Sequence, residues 1–241
     1  IGRVIKERVL ILDGAMGTMI QGYGLTEEDF RGVRFADVPG IMKGNNDILN
    51  ITRPDIIEDI HRKYLIAGAD IIETNTFSSQ RISMNDYGVA EYAREITEAG
   101  CRIARKVADE FTALTPQKPR YVVGSVGPTN KTCSISPDVN NPALRNITFD
   151  ELVEAYTEQI STMILNGVDG ILIETIFDTL NAKAAIFAAE ESMKNIGREV
   201  PLMLSVTISD NAGRTLSGQT LDAFIASVQH ANIFSIGLNC S

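Results

Sequence analysis

The sequence predicts an α/β protein on a parallel sheet, and within that class a (β/α)8 TIM barrel. Three observations carry this. Short apolar runs alternate with longer helical patterns along the whole chain. Each run is apolar on both faces, as strands of a buried parallel sheet are. Nearly every run also passes straight into polar, chemically useful residues. A barrel gathers its site in this way, at the C-terminal ends of many strands. An open doubly wound sheet gathers its ligands at one switch point instead.

The runs are Arg8–Leu12, Ala69–Ile72, Tyr121–Val126, Gly170–Ile173, Leu202–Val206 and Phe234–Leu238. They lead into Asp13-Gly14, Glu73-Thr74-Asn75, Gly127-Pro128-Thr129-Asn130, Glu174-Thr175, Thr207 with Asp210, and Asn239-Cys240. Amphipathic helices fill the intervals. Thr52-Arg-Pro-Asp55 reads as a cap with proline in the first turn, followed by Ile56, Ile57, Ile60, Tyr64 and Leu65 on one face. Residues 90–111 carry Ala93, Ile96, Ala104, Val107 and Phe111 at helical spacing. Thr148-Phe-Asp-Glu151 reads as a capping box before Leu152, Tyr156, Ile160 and Met163. Residues 179–195 and 220–231 repeat the pattern. Right-handed crossovers follow from this order.

A barrel has eight strands and typically about 250 residues. Here six runs occupy 241 residues, because Gln21–Leu49 and Thr129–Arg145 are long. The expectation is one domain over residues 1–241, truncated after about six βα units and left with two bare sheet edges.

Composition excludes several partners. With 22 basic and 31 acidic residues the net charge is −9, which argues against nucleic acid and anionic membrane. No apolar run approaches a membrane span, and Ile1–Leu12 mixes charges with aliphatics unlike a signal peptide. Cys101, Cys133 and Cys240 are an odd, widely spaced set, unlike a secreted disulfide framework; the expected compartment is cytoplasmic.

Asp13-Gly14-Ala15-Met16-Gly17 places a carboxylate beside glycine-freed backbone amides. That suits an amino acid, whose ammonium meets Asp13 while its carboxylate meets the amides. The plain alternative is a tight turn, and a phosphate loop is excluded by the missing Gly-Lys-Ser/Thr. Glu73 and Glu174 end apolar runs, where a carboxylate binds an ammonium or exchanges a proton; the alternative is solvated or helix-capping glutamate. Cys240 ends the sixth run as a nucleophile or soft metal ligand, or as a small buried hydrophobe. One cysteine does not make a zinc site. Cys101 falls within a helix and Cys133 in a polar loop. His61 and His230 fall in amphipathic helices, as surface or interface residues. Gly213-Arg-Thr-Leu-Ser-Gly218 reads as a polar loop. Residue chemistry alone gives a rim site for a small zwitterion, with a thiol beside it.

Longer motifs carry a resemblance. Val9-Leu-Ile-Leu-Asp-Gly-Ala-Met-Gly-Thr-Met-Ile20, Gly68-Ala-Asp-Ile-Ile-Glu-Thr-Asn-Thr-Phe77, Gly127-Pro-Thr-Asn130, Ile173-Glu-Thr-Ile-Phe-Asp178 and Gly237-Leu-Asn-Cys240 resemble the homocysteine S-methyltransferase family. Lys43-Gly-Asn-Asn-Asp47, Arg145-Asn-Ile-Thr-Phe-Asp-Glu-Leu152, Asn181-Ala-Lys-Ala-Ala185 and Gly213-Arg-Thr-Leu-Ser-Gly-Gln219 resemble its cobalamin-dependent methionine synthase branch. The resemblance implies a barrel that binds homocysteine and zinc and yields methionine. It implies substrate contacts at Asp13, Gly14 and Glu174, with Thr74 and Asn239 at matching rim positions. It implies three cysteine ligands to zinc: Cys240 and an adjacent Cys-Cys pair that this sequence lacks. The chain alone is therefore expected to hold zinc poorly and to be inactive. Cobalamin and 5-methyltetrahydrofolate are implied on separate domains. The alternatives are a stand-alone homocysteine methyltransferase using betaine or S-methylmethionine, and a non-catalytic amino-acid-binding domain.

Overall fold

Five parallel strands pair in the order in which they occur in the chain. They are β1 (Ile71–Glu73), β2 (Tyr121–Val126), β3 (Gly170–Ile176), β4 (Leu202–Val206) and β5 (Ser235–Leu238). The computed structural model describes residues 1–240. The register runs Ile71 to Tyr121, Val123 to Gly170, Ile171 to Leu202 and Met203 to Ser235. A sequential order with no reversal is that of a barrel wall, not of a doubly wound sheet.

Helices α1 (Met16–Gln21), α2 (Glu27–Arg31), α3 (Leu49–Thr52) and α4 (Pro54–Ala67) precede β1. Between strands run α5 (Arg81–Met84) and α6 (Ala93–Leu114), then α7 (Phe149–Leu165), α8 (Thr179–Ile196) and α9 (Leu221–Val228). Thr148 and Glu151 form the capping box expected at the start of α7. Asp178 caps α8 by accepting from the N–H groups of Leu180 and Asn181.

Both faces of the sheet are largely buried from β1 to β4, whereas Ile236 and Leu238 of the edge strand β5 are exposed. Val122, Ile171, Ile173 and Leu204 pack against Leu152, Ile160, Ala184 and Ala188 of the crossover helices. The intervening positions Ile71, Val123 and Leu172 form a separate inner cluster with Leu10 and Met203. A third core, with Ile20, Phe35, Ile57, Ile60, Met84 and Ile96, ties the N-terminal arm to α4 and α6. Gly100 allows one close approach there. A Cβ on it would lie 2.7 Å from Asn50 Nδ2, which donates to the carbonyls of Asn75 and Ile96.

The structure departs from the sequence reading in three places. The run Arg8–Leu12 is not a full strand: it joins β1 through a single parallel bridge, Leu12 to Ile71. The Asp70 carboxylate takes the Ile11 N–H and the Arg8 guanidinium, so side-chain bonds replace a longer ladder. Thr52 does not cap the helix at Pro54. It ends α3 and bonds back to the Ile48 carbonyl, and Arg53 occupies the cap position. His61 is not at a surface. It is fully buried in α4, and neither ring nitrogen has a partner among the described residues. His230 is exposed, as expected. Among the described residues no helix is long and apolar enough to cross a membrane.

Burial pushes His61 down to about 4. Its ordinary value is about 6.5, so the unfolded chain takes up a proton that the folded chain refuses between those limits. The sign follows: His61 is neutral and harmless above about 6.5, and stability falls as pH drops toward 4, by up to about 3 kcal/mol. His61→Leu is expected to remove this acid-side loss. Urea unfolding of both proteins at pH 7.5 and pH 5 checks it; an unchanged difference between the two pH values would refute it.

Candidate active site

The carboxyl ends of the strands enclose a cavity of about 650 Å³. Asp13, Gly14, Glu73, Thr74, Glu174, Asn239 and Cys240 all line it. The sheet explains the convergence. Parallel neighbours stand about 4.8 Å apart and end on the same side, so residues far apart in sequence meet at one rim.

Asp13 is fixed by the backbone of β1. Its N–H donates to the Ile71 carbonyl at 2.9 Å, and its Oδ2 accepts from the Glu73 N–H at 3.0 Å. Its Oδ1 is buried and has no partner among the described residues. Burial pushes Asp13 up to about 8, against the pull of the Glu73 N–H and with the help of the Glu174 charge. Glu73 is also raised, first by burial and then by the Glu174 and Asp13 charges, and it shares a hydrogen bond with Glu174. Burial raises Glu174 as well, partly offset by the Ser125 hydroxyl that it accepts. Three crowded carboxyls thus face a cavity with no Lys, Arg or His among its described lining residues. Such a site favours a bound cation.

Asn239 joins the two halves of the site. Its Nδ2 reaches Glu174 Oε2 at 3.1 Å, Thr175 Oγ1 at 2.9 Å and Cys240 Sγ at 3.5 Å. Its Oδ1 accepts from the Thr175 N–H at 3.0 Å and the Ser205 hydroxyl at 2.9 Å. Thr175 and Cys240 have φ of 56° and 53°, and they are the only non-glycine residues with positive φ among the described residues. The β3–β4 register shifts between Ile173 and Ile176, where Thr175 turns out of line. Backbone strain of this kind persists where surrounding contacts enforce it. Cys240 is exposed, with the Thr175 hydroxyl 3.7 Å from its sulfur.

Two of these lining residues also have contacts within the protein. The Thr74 hydroxyl is engaged by Thr76 Oγ1 at 2.6 Å and the Ser125 N–H at 3.1 Å. Gly14 gives room to a neighbouring side chain: a Cβ there would lie 3.1 Å from Tyr64 Oη.

The structure adds a second acid cluster that residue chemistry did not single out. Asp47 is buried in the cavity wall and accepts the Ser78 N–H at 3.0 Å. Burial pushes it up to about 7. Asp86 and Tyr87 line the same wall; burial raises the Tyr87 phenol, and the Asp47 and Asp86 charges raise it further. Asn45 lies beside them with its Oδ1 buried and unpartnered among the described residues. The only signal in the sequence was the Lys43–Asp47 motif, to which no chemistry was attached.

The other cysteines stay apart. Cys101 is buried in α6. Cys133 is buried under Asn181, which accepts its N–H at 2.9 Å, and its sulfur faces the Ile147 carbonyl. Among the described residues no group of three His, Cys, Asp or Glu could hold a metal ion. The Gly213–Gln219 loop is pinned at the start of α8, where the Phe177 carbonyl accepts from Ser217 and Gln219 meets Thr179.

Fold and cavity together define an α/β protein of barrel strand order, with an acidic cavity at the strand ends. Residues 10–241 match the family model for homocysteine S-methyltransferase, and the chain belongs to that family. Its fold is similar to that of the homocysteine methyltransferase MmuM from Escherichia coli. The metallated form is 20% identical with a TM-score of 0.74, covering 99% of this chain and 77% of that one. The oxidized form is also 20% identical, with a TM-score of 0.72 over 96% of this chain and 73% of that one. At this identity the likeness speaks for the fold.

Asp47 carries a stability cost that depends on pH. Its raised folded value of about 7 lies above an ordinary aspartate near 3.9. Its cost is therefore absent below about 4, and stability is lost as pH rises through 7, by up to about 4 kcal/mol. Asp47→Asn is expected to raise Tm at pH 8 and much less at pH 5. Equal shifts at both pH values, read by thermal unfolding, would refute this origin.

Proposed function

We propose that this domain binds homocysteine and presents its sulfur for methylation by methylcobalamin, giving methionine. One observation carries the reading: the Asp13, Glu73 and Glu174 carboxyls and the Cys240 sulfur share one cavity that has no basic side chain among the described residues. The substrate ammonium sits against Asp13 and Glu174, with Glu73 beside them. The carboxylate meets the backbone amides at Gly14 and Ala15, and the side chain points the thiol toward Cys240. Thr74 holds the rim, and Asn239 links the amino end to the sulfur end. In the reaction the thiol loses its proton and a sulfur–methyl bond forms. The donor–methyl bond breaks, and its electron pair stays with the donor. Cobalamin and methyltetrahydrofolate belong on separate domains that dock at the cavity mouth. Three unpaired cysteines suit a cytoplasmic setting.

Zinc is part of this reading, and the described residues supply one suitable sulfur, Cys240. They do not make a zinc site by themselves, since the resemblance implies two further cysteine ligands besides Cys240. A completed site would hold the substrate sulfur as thiolate. What these residues do themselves is bind the amino acid, orient its sulfur and exclude water from its charged end.

A second reading draws on the Asp47, Asp86 and Tyr87 wall. Carboxylates beside an aromatic ring favour a small onium ion, which fits betaine or S-methylmethionine as methyl donor.

Asp13→Asn and Glu174→Gln are each expected to weaken homocysteine binding about tenfold or more, since each removes a carboxyl that the bound ammonium holds ionised. Isothermal titration checks this, and unchanged affinity in both variants would sink the assignment. The 241-residue chain is expected to hold no stoichiometric zinc at micromolar free metal; one ion per chain, lost on Cys240→Ser, would contradict the shared ligand set. Extended through a Cys-Cys pair, the protein should methylate homocysteine from methylcobalamin. Turnover with betaine or S-methylmethionine alone would favour the second reading.

A further inference from the structure

Tyr64 lies in the last turn of α4, outside every role assigned above. Its ring packs against both large cores, so its position is set by the fold and not by a ligand. The backbone of the same residue is anchored too, because the Tyr64 carbonyl accepts the Ala69 N–H at 3.1 Å where the chain enters β1. From this fixed base the phenol reaches up to the Asp13–Ala15 turn. Tyr64 Oη donates to the Ala15 carbonyl at 3.2 Å. The ring also lies flush with Gly14, where an added Cβ would be 3.1 Å from Oη and 3.2 Å from Cε1.

The turn it supports borders the cavity, and its polar groups are unevenly used. The Ala15 carbonyl is taken by Tyr64 and by the Met19 N–H. Among the described residues nothing accepts the N–H of Gly14 or Ala15. Asp13, one residue earlier, keeps Oδ1 buried and unpartnered. A carboxylate acceptor and two backbone donors thus stand side by side, as an α-amino acid requires. Their relative placement is set on one side by β1, through Asp13, and on the other by the Tyr64 phenol.

We propose that Tyr64 is a positioning residue that fixes the Gly14–Ala15 amides, and so makes the pocket select an amino acid over an aminothiol lacking the carboxylate. This rests on the reading that those amides receive the substrate carboxylate. Tyr64 touches no substrate atom in this arrangement; it acts through the turn. Loss of the phenol hydroxyl leaves the Ala15 carbonyl with only the longer 3.4 Å bond from the Met19 N–H and lets the turn shift, while the ring still fills its place. The ammonium site is unaffected, because Asp13 is held by the Ile71 carbonyl and the Glu73 N–H.

The test compares homocysteine with 3-aminopropane-1-thiol, which keeps the thiol and the ammonium and lacks the carboxylate. Affinities are measured by isothermal titration on the 241-residue chain and on Tyr64→Phe, with Tm recorded for both. The unaltered chain should prefer homocysteine. Tyr64→Phe should lower that preference by roughly three- to tenfold through homocysteine alone, with the affinity for the aminothiol unchanged. Gly14→Ala, whose Cβ meets the Tyr64 ring, should lower it in the same sense. A full preference retained in Tyr64→Phe overturns the proposal, and so does equal weakening toward both ligands, which is the mark of a packing role. No preference in the unaltered chain overturns the carboxylate placement itself and takes the proposal with it.

Discussion

Neighbouring parallel strands that end on one side hold like charges where free side chains would not remain. Asp13, Glu73 and Glu174 repel one another when ionised, and burial disfavours their ionisation further. Backbone bonds keep them together. The Asp13 N–H is tied to the Ile71 carbonyl and its carboxylate to the Glu73 N–H, while the Ser125 hydroxyl donates to the Glu174 carboxyl. Side chains on flexible loops would separate; side chains at the ends of a sheet cannot.

The remaining structure supports that arrangement from both sides. On one side, α4 brings Tyr64 against the Asp13–Ala15 turn. On the sulfur side, Asn239 spans Glu174, Thr175 and Cys240, and the bulge in β3 accommodates the left-handed backbone at Thr175. Behind β1, Asn50 and Asn75 bond to each other and to backbone carbonyls, in space that exists because residue 100 is glycine. These polar groups are buried, and each is matched, so they define positions without the penalty of an unmatched atom.

Among the described residues, unmatched buried polar atoms lie on His61, Arg105, Arg120 and Gln159 away from the cavity, and two lie at the cavity itself. Asp13 Oδ1 and Asn45 Oδ1 are buried acceptors without donors among the described residues, and Asp47 is a carboxyl with burial as its dominant influence. An orphaned buried acceptor costs about 1–3 kcal/mol. A ligand that brings N–H donors and positive charge removes that penalty, and it stabilises the folded chain by mass action as it binds.

The sequence by itself determined the alternation of strands and helices. Tyr121–Val126 and Leu202–Val206 are strands to the residue, and the Thr148–Glu151 capping box opens α7 as its spacing required. These patterns are local: each residue's periodicity and caps act on its own segment. The meeting of Asp13, Glu174, Asn239 and Cys240 at one cavity was legible for the same reason, since residues directly after parallel neighbouring strands end on one side. His61 was also within reach, because it lies four residues after Ile57 and four before Leu65, on the buried stripe of α4; helical period outweighed side-chain polarity. Tertiary structure alone decided the rest. Asp70 turned the first run away from the sheet after a single bridge. Loops distant in sequence brought Asn45, Asp47, Asp86 and Tyr87 to one wall, and Asn181 drew Cys133 out of reach of the cavity. Those placements are fixed by contacts between residues tens of positions apart, and no local period encodes which partner a loop side chain will find.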